Sequence, residues 1–164
     1  MSERIETRRT IAAPAPDIFA VLCDPQGHVA IDSSGMLQDA DGDPVRAAGD
    51  SFVVHMDRES LNDYPQLGKY DVTVEITEFE QDRLISWTIL GRLRPQIGHI
   101  YGYQLEPADD AAATVVTSFY DWSKIDAKSN FVAHPRTVWG SSCRLRDMSW
   151  DTPPISSSRS KVRA

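Results

Sequence analysis

The stretch 87–123 is predicted to form three consecutive strands in which aromatic and β-branched residues recur with period two, and this feature constrains the fold most. Two segments carry the pattern, 98–106 and 114–122, and a short polar turn separates them. The aromatic members of the first segment are His99, Tyr101 and Tyr103. Alternation with period two is typical of strands with at least one buried face. We therefore predict antiparallel strands that form a wide apolar wall, able to enclose a ligand cavity if the sheet is curved.

The remaining elements give an α+β pattern. Proline at 14 and 16 ends a first strand and suits the start of a short helix, which Asp24-Pro25 then ends. A second short helix is expected to close between Ile31 and Gly35. The predicted strands are 3–11, 51–58, 70–76, 84–90, 98–106 and 114–122. The first predicted helix is 15–22, and the second runs through His28 and Val29. The segments 39–50 and 62–68 are predicted to be turn-rich or loop. Six to seven strands with two short N-terminal helices predict one antiparallel sheet.

Charge argues against nucleic acid as a partner. The chain of 164 residues has a formal net charge of −7, and residues 1–130 hold 11 basic and 22 acidic side chains. Binding to a phosphate backbone depends on clustered Lys and Arg, which this acidic body lacks. Residues 131–164 hold 6 basic and 2 acidic side chains. That basic tail is either an interaction arm or a frayed terminus.

The sequence contains no signal for export or for a membrane span. The first residues are polar, and the apolar runs are too short to cross a bilayer. Cys23 and Cys143 do not form a disulfide framework. We expect a cytoplasmic protein of one domain.

Motifs for metal or cofactor chemistry are missing from the sequence. Histidine occurs at positions 28, 55, 99 and 134, without metal-ligand spacing, and no P-loop or dinucleotide-binding fingerprint is present. We therefore predict neither a metal nor a cofactor. The candidate catalytic residues are His55, His99 and Asp121, because a histidine near a carboxylate in an apolar pocket can act as a general base. For Asp121 we favour the alternative that it accepts hydrogen bonds at a strand end, and His28 and Asp32 are expected to connect the second helix to the sheet.

The large side chains of the strands have two interpretations. As cavity lining they would suit a flat or lipid-like ligand, and as plain core they need no ligand. The candidate ligand-binding residues are Phe52, Val54, Tyr70, Trp87, Tyr101, Tyr103 and Phe119. Arg92 and Arg94 are either solvated or placed at a pocket mouth.

Several segments resemble a known family. They are 11–14 (IAAP), 18–20 with 24–25, 28–35, Trp87, 103–107 and 114–123 (TVVTSFYDWS). Together they resemble the polyketide cyclase/dehydrase and lipid transport family of the START-like, birch-pollen-allergen-like (SRPBCC) superfamily, over residues 3 to about 125. The resemblance implies a helix-grip fold, in which a curved antiparallel sheet grips a long C-terminal helix over an apolar cavity.

The C-terminal segment departs from that family. Pro135, Gly140, Pro153 and Pro154 interrupt residues 131–164, and no apolar stripe of helical spacing runs for more than about two turns. We therefore predict a helix-grip domain at 1–130 and a divergent, partly disordered basic tail at 131–164. A frameshift in the ancestral helix would explain the tail. Either residues 136–150 cover the sheet or a partner does, for instance in a homodimer.

Three functions agree with these features. The first is binding of a small hydrophobic or aromatic molecule. The second is a cyclase or dehydratase that uses a cavity histidine or aspartate as base and tyrosine hydroxyls to polarise a carbonyl. The third is a degenerate domain without a working pocket.

Overall fold

The fold is a curved antiparallel sheet of seven strands with two short helices after the first strand. The structure is a computed structural model and describes residues 3–61, 65–92, 94–110 and 112–125. The strands are β1 (Arg4–Ile11), β2 (Leu37–Asp41), β3 (Ser51–Asp57), β4 (Lys69–Glu80), β5 (Leu84–Leu90), β6 (Ile100–Pro107) and β7 (Thr114–Asp121). They lie in the order β1-β7-β6-β5-β4-β3-β2. The helices are α1 (Ala15–Cys23) and α2 (Pro25–Ile31), and a 3-10 turn spans Pro65–Leu67. The predicted α+β class, strand number and helix pair are confirmed.

The two helices follow each other without a loop because one residue serves both. Asp24 has extended backbone (φ −85°, ψ 124°), which ends α1. Its carboxylate then accepts a hydrogen bond from the backbone N–H of Gln26 at 3.0 Å and so caps α2. Each helix has a proline in its first turn. Proline lacks a backbone N–H, and an N–H at this position would have no partner within the helix.

The turn after α2 is closed by Asp32. Its carboxylate accepts hydrogen bonds from the backbone N–H and the hydroxyl of Ser34 at 3.0 and 2.7 Å, and from the N–H of Leu37 at 3.0 Å. Gly35 adopts a left-handed backbone (φ 73°) inside this turn. Asp32 thus connects α2 to β2, as the sequence predicted.

Strand register assigns every side chain to one of two faces of the sheet. Residues directly opposite each other share a face, so the pairs Trp87–Tyr101 and Tyr101–Tyr120 place these three rings together. The same face carries Phe52 and Val74, and α1 and α2 pack against it. We call it the inner face and its reverse the outer face. The core lies between this face and the buried helix residues Ile18, Phe19, Leu22 and Cys23.

Two predicted boundaries were wrong. The segment 39–50 was predicted as turn throughout, but β2 extends to Asp41 and pairs with β3, and Ala40 is buried. This strand lacks β-branched residues, so its pairing comes from the tertiary structure rather than from propensity. Strand β4 continues past Ile76 to Glu80, because an irregularity between Ile76 and Glu78 interrupts the alternation without ending the strand.

The C-terminal predictions concern residues that the structure does not describe. The tail 131–164 and the proposed cover 136–150 lie outside the described residues. The described helices include none that is long and apolar enough to cross a membrane.

Candidate functional site

Aromatic rings on the inner face form a continuous row, together with His28 of helix α2, which lies between Phe52 and Trp87. The His28 ring packs edge-on against Phe52 and Trp87, with centroid distances of 4.9 and 4.7 Å. We call the connected set of rings the aromatic row. Its members are Phe52, His28, Trp87, Tyr103, Tyr101, His99, Tyr120 and Trp122.

The row continues across the neighbouring strands β5, β6 and β7 because their register aligns its rings. Trp87 on β5 lies 5.9 Å from Tyr103 and 6.4 Å from Tyr101, both on β6. Tyr101 lies 4.8 Å from Tyr120 on β7, and Tyr120 lies 5.6 Å from Trp122. Such ring separations lie in the range of favourable aromatic pairs. Tyr101, Tyr103 and Trp122 are partly exposed, so this end of the row remains accessible.

His99 lies in the middle of this accessible end. Its ring is 5.1 Å from Tyr101 and 6.1 Å from Tyr120. Burial lowers the pKa of His99 to about 4, so the imidazole is neutral at neutral pH. Its Nε2 atom is buried and has no hydrogen-bond partner within the described part of the chain. A buried unpaired polar atom is uncommon in folded proteins and calls for an explanation.

His28 has the structural role that the sequence predicted. Its Nε2 donates to the carbonyl oxygen of Leu22 at 2.8 Å, which assigns the proton of the neutral ring to this nitrogen. Burial lowers the pKa of His28 to about 4, only partly offset by this hydrogen bond and by Asp24. The ring therefore connects the end of α1 to Trp87 and sets the position of the indole.

His55 lies on the outer face, away from the aromatic row. Its Nδ1 is 2.7 Å from Asp71 on β4 and its Nε2 is 2.9 Å from Asp41 on β2. The hydrogen bonds to Asp71 and Asp41 raise the pKa of His55 to about 9. It is therefore an imidazolium at neutral pH. The prediction that His55 acts as a base near the cavity is wrong, because the side chain lies on the outer face and because the ring is already protonated.

Asp121 and Phe119 also lie on the outer face. Asp121 accepts a hydrogen bond from the N–H of Ser123 at 2.8 Å, the strand-end role that the sequence offered as its alternative. Burial raises the pKa of Asp121, but the hydrogen bonds from Ser123 and the charges of Arg4 and Lys124 outweigh this and lower it. The Phe119 ring lies over Gly102 with the Arg4 guanidinium 3.9 Å from its centroid. Neither side chain faces the aromatic row, so their expected place in the cavity is corrected.

The other candidates on the inner face differ in exposure. Phe52 and Val54 are 3% and 1% exposed and belong to the core beneath the helices. Tyr70 pairs with Met56 near one end of β4 and packs against the same core. The structure therefore brings Trp87, Tyr101 and Tyr103 together with His99 at the accessible end of the row. Phe52 lies at its buried end against His28, and the other candidates lie outside the row.

Sequence reasoning missed Tyr120 and Trp122 as members of the row. The alternation in 114–122 places Phe119 on one face and Tyr120 with Trp122 on the other, but it does not say which face is inside. The hairpin register decides this, since Tyr101 pairs with Tyr120 and Gly102 with Phe119. A shift of one residue would exchange the two faces. The glycine at 102 was the available signal, because a ring packs closely over a residue without a side chain.

A separate open groove lies at the opposite end of the sheet. It has a volume of about 610 Å³ and runs between the start of α1, the β4–β5 turn and the β6–β7 turn. Its walls include Pro14, Arg83, Leu105 and Thr114. None of the rings of the aromatic row lines this groove.

Cationic and metal-binding groups near the row are few among the described residues. Arg94 donates to the carbonyl oxygen of Gly91 at 2.7 Å, a contact within its own loop. In the described ranges, no group of three or more His, Cys, Asp or Glu side chains is placed to hold a metal ion. The accessible end of the row is thus an aromatic surface, and the unpaired imidazole nitrogen of His99 is buried beneath it.

Comparison with known proteins supports the fold and leaves the activity open. No family model matches the chain. It is 25% identical over 128 residues to the uncharacterized protein Rv0088 of Mycobacterium tuberculosis, and the match covers 77% of this chain. That region is 51% of Rv0088, so the chain spans about half the length of this relative.

Solved structures with a similar fold come from several bacteria. DR_A0006 of Deinococcus radiodurans is 19% identical with a TM-score of 0.53, covering 74% of this chain and 84% of its own. MLL2253 of Mesorhizobium loti is 15% identical with a TM-score of 0.54, covering 84% and 89%. The Aha1 dimer of Colwellia psychrerythraea is 17% identical with a TM-score of 0.53, covering 84% and 87%. At these identities the similarity concerns the fold alone.

Proposed function

We propose that this protein binds a small apolar or aromatic molecule on the inner face of the sheet, against the accessible end of the aromatic row. The observation that carries the proposal is the set of partly exposed aromatic rings at this end of the row. Tyr101, Tyr103 and Trp122 provide flat apolar surface, and the two tyrosines also carry hydroxyl groups. Ligand sites of small molecules commonly combine an apolar lining with a few placed polar groups.

The magnitude of the apolar contact is sufficient for measurable binding. Covering about 200 Å² of apolar surface contributes roughly 5 kcal/mol before the cost of immobilising the ligand. The rings hold one another in place, so little side-chain freedom remains to be lost on binding. A free energy of roughly 5 kcal/mol corresponds to a dissociation constant of about 0.2 mM. Because the cost of immobilising the ligand is subtracted from it, a dissociation constant of millimolar order is expected for a two-ring ligand.

The first test is native mass spectrometry of freshly purified protein, followed by the same sample after denaturation. An added mass that disappears on denaturation supports the proposal and identifies the ligand class. Tyr101→Ala should reduce the bound fraction, whereas His55→Gln on the outer face should not. Equal loss in both variants, or a bare mass together with no binding of added aromatic compounds, would refute it and favour a degenerate domain.

A cyclase or dehydratase is a second candidate, and His99 is the observation that favours it. A general base must be unprotonated, and neutral His99 meets this requirement. However, a base whose pKa is about 4 takes up protons weakly at neutral pH. We therefore favour binding without a reaction over catalysis. The variant His99→Gln distinguishes the two candidates. If the protein is an enzyme, this substitution should abolish turnover and retain ligand affinity.

A homodimer remains part of the proposal, since one structure with this fold is a dimer. The same native spectrum reports the mass of the assembly. A division into a domain at 1–130 and a basic tail at 131–164 also stays a prediction.

A further inference from the structure

We propose that this chain forms a homodimer through the free edge of strand β1, which pairs antiparallel with β1 of a second copy so that Thr7 lies on the twofold axis. The two sheets then continue into one. The inference rests on the homodimer in the proposed function, for which it names the surface, and it does not require a bound ligand.

The first observation is that β1 is an edge strand whose second side is open. Within the described part of the chain it pairs with β7 alone, along its whole length. The carbonyl oxygen of Glu3 accepts from the N–H of Trp122, so the backbone groups of odd-numbered residues face β7 and those of even-numbered residues face the free edge. The residues of β1 are exposed except Thr7, which is half-buried, and Ile11. Such an edge is a template for a strand of another chain.

The second observation is that the charges on β1 are self-complementary in one register. Arg4, Glu6, Arg8 and Thr10 share the outer face, because alternate residues lie on one face of a strand. A twofold axis at Thr7 places Glu6 opposite Arg8 of the partner subunit, and the same pair occurs again on the other side of the axis. An axis at Glu6 or at Arg8 would instead place like charges opposite each other, which destabilises a strand pair. A twofold interface must match its own surface, and the axis at Thr7 fulfils this condition.

This register also uses nearly the whole strand. The even-numbered residues, whose backbone groups face the free edge, lie opposite one another and can exchange N–H···O=C hydrogen bonds. An axis at Ile5 would likewise join opposite charges, but it would pair only the first part of β1. Charged side chains on an edge strand oppose pairing with most other sheets. They therefore favour a partner with the complementary pattern, which a second copy of the chain supplies.

The third observation is that Glu6 and Arg8 can reach across the edge. Their side chains are 55% and 62% exposed. Arg8 donates to Glu106 at 2.8 Å through one terminal nitrogen, and a guanidinium has five N–H donors, so Arg8 can bind a second carboxylate. Glu6 lies 3.4 Å from a guanidinium nitrogen of Arg4, which is longer than a usual hydrogen bond. Formation of the dimer therefore need not break a strong contact within either copy.

Charge reversal tests the inference on the full chain by sedimentation velocity over a series of protein concentrations. One pair of strands buries less area than a standard interface, so the wild type should pass reversibly from monomer to dimer as its concentration rises. Glu6→Arg and Arg8→Glu should each raise the dissociation constant about tenfold or more, because two attractive pairs become repulsive. The double variant, which exchanges the two charges, should dimerise again. Arg83→Glu, at the exposed β4–β5 turn, is the matched control and should dimerise as the wild type does.

An equal mixture of the Glu6→Arg and Arg8→Glu proteins is the decisive sample. In a mixed dimer both cross-strand pairs again join opposite charges, so the mixture should dimerise although each variant alone does so poorly. The loss of the contact between Arg8 and Glu106 within one chain cannot produce this rescue.

A cysteine at the axis tests the register without changing any charge. Thr7→Cys places two thiols opposite each other in a pair whose Cα separation suits a disulfide. With dissolved oxygen as the oxidant, this variant should form a covalent dimer. Thr10→Cys, whose thiol would lie opposite Arg4 of the partner subunit, should not. The wild type measures the background from Cys23 and Cys143.

The outcomes separate this inference from the proposed ligand binding. A monomer at every concentration, a dimer that charge reversal leaves unchanged, or a mixture without rescue overturns the inference. Species that grow beyond the dimer would indicate pairing of β1 with the acidic edge strand β2 of another copy, and they overturn it as well. A monomer that carries a ligand overturns this inference alone, whereas a β1-paired dimer without any bound ligand counts only against the proposed ligand binding.

Discussion

At the scale of single residues, the packing of Phe119 against β6 depends on the absence of a side chain at Gly102. A Cβ atom at Gly102 would lie 2.3 Å from the ring of Phe119 and 2.8 Å from the carbonyl oxygen of Ile85. Both distances are below van der Waals contact, and Phe119 is only 4% exposed, so its ring cannot move into solvent without loss of packing. Gly102 is therefore required by the outer face, directly behind the aromatic row.

Gly102→Ala is expected to destabilise the protein by about 1–3 kcal/mol, the usual cost of overpacking a well-packed site. The measurement is the free energy of unfolding from urea denaturation. Gly91→Ala is the matched control, because nothing lies within 4 Å of its added Cβ and no left-handed backbone is involved. That variant should be neutral or stabilised by up to about 1 kcal/mol. Equal stability of the two variants would contradict the packing argument.

At the scale of elements, the helix pair sets the geometry of the site through its junction. Asp24 ends α1 and caps α2, and α2 carries the ring of His28 against Trp87. Phe19 on α1 packs edge-on against Phe79 on β4 at 5.3 Å. The position of the indole in the aromatic row therefore depends on a cap that lies outside the row.

Asp24→Ala should lower the free energy of unfolding by about 1 kcal/mol, the typical value of a lost N-cap. Asp24→Asn keeps an oxygen that accepts from the N–H of Gln26, and its cost should be a few tenths of a kcal/mol. The fluorescence of the folded protein should also change more in the alanine variant, since His28 contacts Trp87. An equal cost for both substitutions would show that the carboxylate acts by its charge rather than as a cap.

At the scale of the whole molecule, the outer face holds three strands together through one charged histidine. His55 on β3 binds Asp41 on β2 and Asp71 on β4 at the same time. Because the pKa of His55 rises from 6.5 to about 9 on folding, its contribution is fully present below pH 6.5 and is lost as the pH rises through about 9. The stability of the sheet is thus expected to fall toward alkaline pH.

Urea denaturation at pH 6.5, 8 and 10 tests this linkage. Wild type should lose more stability than His55→Gln between pH 6.5 and 10. The variant is needed because burial, with a smaller contribution from Asp82, raises the pKa of Cys23 from 9.0 to about 11. Ionisation of that thiol on unfolding destabilises the fold in the same direction above pH 9, and it does so in both proteins. Parallel stability curves for wild type and variant would exclude a role for His55.

The local sequence pattern was sufficient to predict a strand or helix wherever a residue's neighbours in sequence decide its conformation. Alternation located β3, β5 and β7, and proline with Asp24 located both helices. The pattern was insufficient for β2, which lacks β-branched residues and pairs because β3 lies beside it. The same pattern predicted an end of β4 at Ile76, which is too early. The irregularity after Ile76 interrupts the alternation, but the pairing of β4 with β5 continues to Glu80.

The sequence by itself determined the class of fold, the order of its elements and the aromatic content of the central strands, because these follow from local periodicity and turn chemistry. Only the tertiary structure decided which rings share a face. Strand register placed Tyr120 beside Tyr101 and turned Phe119 and His55 outward. Burial then made His99 neutral, while two carboxylates made His55 charged. Register and burial arise from contacts between residues distant in sequence, so no local pattern contains them.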